Sequence, residues 1–126
     1  MFKKLITAFI MIFLVAGQSN AFPTQGRFIY DLCERGIKAI DRVYLEGELW
    51  GMPGNTVDGN MAVYCAAYIM AAEDDLSEKG SICLPPTPPK ISMKAVVEYF
   101  EKHPELKKKS ARIAVDAAIK AKFPCP

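Results

Sequence analysis

Cysteine and histidine are the residues of this chain best suited to chemistry, and they occur at Cys33, Cys65, Cys83, Cys125 and His103. A thiolate beside an imidazole makes a nucleophile and its base. The same two residue types are also the usual ligands of zinc. Their spacing supports neither use. No two cysteines stand in a CxxC pair, and His103 is far in sequence from all four. An even cysteine count in a short exported chain reads instead as a disulfide framework. Such a framework leaves no thiol for His103, which reads as a helix stop because Pro104 pushes the preceding residue out of helical geometry. The chain is therefore read as a non-enzyme, with no catalytic residue, metal or cofactor expected.

The oxidising context comes from the N-terminus. Lys3 and Lys4, an apolar run from Leu5 to Ala16, and Ser19-Asn20-Ala21 have the three parts of a secretory signal. Residues 1–21 are expected to be cleaved, leaving a single helical domain over 22–126, which is as much as a chain of 126 residues accommodates. Lys and Arg total 16 against 14 Asp and Glu, so without Lys3 and Lys4 the exported chain is neutral. Nucleic-acid binding needs a basic excess that is missing.

The elements are organised around Met61–Ala72, MAVYCAAYIMAA, which holds no charged residue. It is too short to span a bilayer and too long for an ordinary strand, so it predicts a helix wrapped by protein on every side. Its expected extension through Glu73, Asp74, Asp75 and Glu78 stops at Gly80, with Thr56 or Asp58 as cap. Before it, Phe28, Ile29, Leu32, Cys33, Ile37, Ile40 and Tyr44 mark the inner face of a first helix, which Gly36 weakens. After it, Leu84–Pro89 is extended, and Ser92 is expected to cap a third helix with Met93, Val96, Val97 and Phe100 inward. Ser110 is expected to cap a fourth, with Ala111, Ala114, Val115 and Ala118 dry and Arg112, Asp116 and Lys120 wet. The fold class is all-α: a small disulfide-stapled four-helix domain around a central apolar helix.

Between the first two helices, Glu46–Asn60 has four glycines and a proline in fifteen residues, yet carries Trp50 and Met52. It is a loop. Trp50 either folds back over the core or anchors a partner. Glu73, Asp74 and Asp75 oppose the dipole of their own helix, as a solvated end or as a patch for a basic surface. Trp50, Met52, Glu73, Asp74 and Asp75 are the partner-binding candidates.

Four cysteines allow three pairings. Cys65 to Cys83 is the least expected link, because helix from Cys65 to Gly80 would span about 22 Å, whereas a disulfide tolerates only roughly 7 Å between alpha carbons. An antiparallel hairpin of the third and fourth helices brings Cys83 to Cys125, which leaves Cys33 for Cys65.

Cys65-Ala66-Ala67-Tyr68-Ile69 with Asp74, then Ile82-Cys83-Leu84-Pro85, then Tyr99-Phe100 with His103-Pro104-Glu105, and finally Phe123-Pro124-Cys125-Pro126 occur in this order. Together with Leu32-Cys33 they resemble the pattern of the Tai/Rap immunity family over about Phe28 to Pro126. Ala71 stands where that pattern has glycine, and the Glu46–Asn60 loop is longer than is usual there. The resemblance implies a periplasmic, mostly helical and often homodimeric protein. It implies an immunity protein that binds a type VI secreted peptidoglycan amidase toxin and occludes its active site. The alternative is a general periplasmic stress or chaperone-like binding protein. No nucleic acid and, after signal cleavage, no membrane partner is expected.

Overall fold

A computed structural model describes residues 25–45 and 57–126, the side chains of 43–45 excepted. The expected signal segment, the remainder of the loop before Val57, and with it Trp50 and Met52, lie outside the described residues. Four α-helices are described: α1 (Gly26–Leu45), α2 (Val57–Glu78), α3 (Pro89–Lys102) and α4 (Ala111–Lys122), with a 3-10 turn over Pro104–Lys108 before α4. No strand occurs among the described residues beyond an isolated bridge between Gln25 and Ser110. The all-α class expected from the periodicity is the class observed.

The helix α1 packs most extensively on α2, and both are crossed by α3 and α4. Ile29, Leu32, Cys33 and Ala39 are buried on its inner side, whereas Phe28, expected there, is 57% exposed. Gly36 does not interrupt α1. A Cβ at this position would fall 2.6 Å from the Ala62 alpha carbon, so the two backbones touch where no side chain fits. One turn away Cys33 is bonded to Cys65, their alpha carbons 5.1 Å apart. Asp58, in the first turn of α2, accepts hydrogen bonds from Arg35 at 2.6 Å and Arg42 at 3.2 Å. A carboxylate there also favours the positive end of the α2 dipole. The last four residues of the expected loop, Val57 to Asn60, are thus helical.

Ser92 does not cap α3. Pro88 is the cap and Pro89 the first helical residue, because a proline with fixed φ and no N–H suits that position. Ser92 is instead buried one turn inside. The helix ends at His103, whose N–H bonds the Tyr99 carbonyl, as the following proline requires. Phe100, Val96 and Met93 fill the centre together with Ile29, Ile69, Val115 and Ile119.

The 3-10 turn is tied back to α1. The Gly26 N–H donates to the Lys109 carbonyl at 2.8 Å, and Lys107 Nζ lies 3.5 Å from the centre of the Tyr30 ring. Ser110 Oγ then accepts from the Ile113 N–H and starts α4. The dry stripe of Ala111, Ala114, Val115, Ala118 and Ile119 is buried, while Arg112 and Lys120 stay wet. Phe123 closes the core, its carbonyl accepting from the Cys83 N–H at 3.0 Å, and Cys83 is bonded to Cys125.

Candidate protein-binding face

The central helix is not wrapped on every side. Cys65, Ile69, Ala72 and Leu76 are buried, but Val63 is 43%, Met70 49% and Tyr64 65% exposed. Ala67 and Ala71 between them are exposed as well. Helical geometry explains the division: α2 is flanked by α1, α3 and α4 on its inner arc, and no described segment covers the outer arc. The expectation of complete burial fails because an apolar run shows only that its residues do not need water, not that this chain supplies their cover.

Beside this face lies a groove of about 470 Å³ between α1 and α2, lined by Phe28, Ile29, Leu32, Tyr64 and Tyr68. Its walls are apolar side chains with two phenol hydroxyls. Burial raises the Tyr68 pKa above the usual phenol value, so the hydroxyl stays protonated at neutral pH and is available as a donor. Several charges of α1, α2 and α4 are paired within the chain: Arg35 and Arg42 with Asp58, Lys38 with Glu34, and Arg112 with Asp75 and Asp116. A face with apolar residues at its centre and charged residues at its edge has the composition of a protein-binding surface.

The acidic run at the end of α2 does not form one patch. Glu73 points inward and is only 7% exposed, against Ser92 in the first turn of α3. Its Oε1 finds no hydrogen-bond partner, and neither does Ser92 Oγ. Burial is the main cause that raises the Glu73 pKa; the neighbouring serine offsets part of this, and Asp74 adds to it. Asp75 is committed to Lys79, at 2.7 Å, and to Arg112. The Lys79 hydrogen bond leads the causes that hold its carboxyl below the usual range. Asp74 alone of the three is exposed. Consecutive helix positions point about 100° apart, so three acids in a row face three directions.

No thiol is free, since both disulfides are formed. His103 stacks on Tyr99, with ring centres 4.3 Å apart, and its Nδ1 lies 3.5 Å from Glu105. Among the described residues no group of three or more His, Cys, Asp or Glu is placed to hold a metal ion. No described helix is long and apolar enough to cross a membrane.

The exposed arc of α2 and the Phe28 groove went unread in the sequence. One signal was available there: Tyr64 carries a hydroxyl, and Ala67 and Ala71 are small, whereas a helix buried on all sides fills its arc with bulk. Comparison with protein families finds that the model described as Rap1a immunity proteins matches residues 25–125. No curated protein and no solved structure matches significantly.

Proposed function

The chain belongs to the Rap1a immunity protein family, and from that membership we propose a periplasmic immunity protein that binds a type VI secreted peptidoglycan amidase and occludes its active site. Membership makes it an immunity protein against a secreted toxin, and that match over 25–125 is the observation that carries the proposal. The amidase as target and the periplasm as location rest on the motif resemblance and on the signal pattern of residues 1–21. The uncovered apolar face and the groove at Phe28 and Tyr64 support a role exercised by binding. An exposed apolar patch on a small domain is retained where a partner covers it. The protein works as a homodimer, and Trp50, Met52 and Asp74 are contact candidates on the toxin side.

The test is capture. The full-length chain, exported so that both disulfides form, is used as bait for a panel of type VI amidases, and peptidoglycan hydrolysis is followed in parallel. Stoichiometric capture with loss of hydrolysis is expected. A correctly bonded sample that neither captures nor inhibits any of them would sink the amidase reading. Suppression of client aggregation by that same sample would then favour the chaperone-like alternative.

A further inference from the structure

We propose that the pole of the domain where α1 begins and α3 ends is a docking surface for peptidoglycan, engaged through the carboxylates of its stem peptides. The inference rests on the periplasmic reading above and adds a second partner. The surface is separate from the α2 face, since α2 does not touch the 3-10 turn at the centre of this pole.

The fold gathers cations here. The 3-10 turn is clamped to the start of α1: the Gly26 N–H donates to the Lys109 carbonyl at 2.8 Å, and Gln25 bridges to Ser110. A Cβ at Gly26 would collide with the Leu106 carbonyl, so the two backbones are in contact. One turn along α1, the Tyr30 ring centre lies 3.5 Å from Lys107 Nζ. The Tyr30 hydroxyl donates to Glu101, near the end of α3, at 3.4 Å. Arg27, Lys102, Lys107, Lys108 and Lys109 are thereby brought to one end of the molecule.

Their lack of internal partners sets them apart. Arg35, Lys38, Arg42, Lys79, Lys90 and Arg112 each pair with a carboxylate of the chain. Among the described residues none of the cations at the pole does. The carboxylates nearest them in sequence are turned elsewhere, Glu101 to the Tyr30 hydroxyl and Glu105 to His103. Arg27, Lys102, Lys108 and Lys109 are also exposed. No acid stands in the first turn of α1 or α4, whose positive ends both lie here. Lys102 sits in the last turn of α3 and offsets the negative end of that helix. In an exported chain that is neutral as a whole, this is a local positive field.

The chemistry of the surface selects its occupant. Between residues 102 and 110 no large apolar side chain is exposed. A protein partner needs an apolar centre that charges only rim. A lipid surface is held by charge together with an inserted apolar face. The pole offers neither and fits an open, hydrated polyanion. All its cations but Arg27 are lysines, point charges on flexible stems that lack the forked geometry favoured for phosphate. They suit carboxylates repeated along a polymer, where several weak contacts reinforce one another through effective concentration. Peptidoglycan carries carboxylates on its stem peptides and is the substrate of the proposed toxin. Docking there holds the immunity protein where the toxin acts and leaves the α2 face open.

The experiment co-sediments the full exported chain, both disulfides formed, with purified peptidoglycan sacculi at about 20 mM and about 300 mM salt. The wild type is expected to bind at the lower salt and to lose about ten-fold in affinity at the higher, as exposed charges are screened. Lys108→Glu combined with Lys109→Glu should weaken binding at low salt by about ten-fold or more. Lys94→Glu combined with Lys120→Glu makes the same change of net charge at exposed lysines away from the pole. That control should stay within about two-fold of the wild type, and both double variants should melt as it does. No sedimentation at low salt, binding indifferent to salt, or equal losses in the two double variants would each overturn the inference. Tighter binding to vesicles with about 30% anionic phospholipid than to sacculi would give the pole to lipid and overturn it too. The pole variant should still capture any amidase that the wild type captures; loss of that capture would make the pole part of the toxin's site, and the inference fails. Sacculus binding by a wild type that captures no amidase would uphold this inference while the toxin reading falls.

Discussion

On one side of α2, Cys65, Ile69, Ala72 and Leu76 are packed out of water; on the other, Val63, Tyr64, Ala67 and Met70 face it. Hydropathy barely distinguishes the two rows. What differs is bulk and polarity at the tips: the inner row carries a fully buried isoleucine and a disulfide, the outer row a central alanine and a tyrosine hydroxyl. The lesson is that an unbroken apolar helix reports a requirement for cover, and that the cover has two sources, the chain's own core and another molecule. Mutations on the two sides should therefore separate folding from binding.

The largest expected effect is on the inner side. Ile69→Ala removes a side chain that is 1% exposed and should destabilise the domain by about 3–4 kcal/mol in urea unfolding, in the range of buried large-to-small changes. Replacing both Cys33 and Cys65 by alanine should cost about 3.5 kcal/mol for the loop that the bridge closes, read as a lower urea midpoint. Gly36→Ala is expected to cost about 1–3 kcal/mol, because its methyl would press on Ala62 across the helix contact. A midpoint unchanged within error would mean that α1 and α2 slide apart easily, and the comparison would lose its inner half.

Glu73 belongs to the inner side by position and to the outer by chemistry. Burial raises its pKa, so the folded state holds this proton more tightly than the unfolded one. The stability it contributes is complete below the unfolded pKa near 4.5 and is lost as pH rises through the folded value. Glu73→Gln should therefore raise stability at pH 7, by about 1 kcal/mol, and flatten that part of the pH profile. Asp58 and Asp75, held low mainly by Arg35 and Lys79, act in the opposite sense, and stability from them is lost as pH falls. A profile of Glu73→Gln that matches the wild type would show the carboxyl to be solvated after all. The smallest expected effect is on the outer side, where Met70→Ala should change stability by no more than about 0.5 kcal/mol while weakening association.

What the sequence made legible follows from how local each signal is. The Ser110 cap, the stop at His103-Pro104 and the dry stripe of α4 depend on neighbours within one turn, and all appear in the structure. Ser92 was misread because Pro88-Pro89 opens α3 a turn earlier, and a serine inside the first turn has the same sequence surroundings as one at its start. Phe28 and Glu73 were misassigned because period alone fixes which residues share a face, not which face the other helices will occupy. The candidate face was hidden for a related reason: nothing in a lone sequence distinguishes an apolar surface kept for a partner from one kept for the core.

The order of the bridges has a consequence for biogenesis. Cys33 is bonded to Cys65 and Cys83 to Cys125, so each cysteine is joined to its neighbour in the sequence. A chain presented N-terminus first to a thiol oxidant exposes the members of the first pair before either member of the second. An oxidant that couples thiols in order of arrival thus yields the native bonds directly, and the slow thiol–disulfide exchange that reshuffles interleaved pairings has nothing to correct.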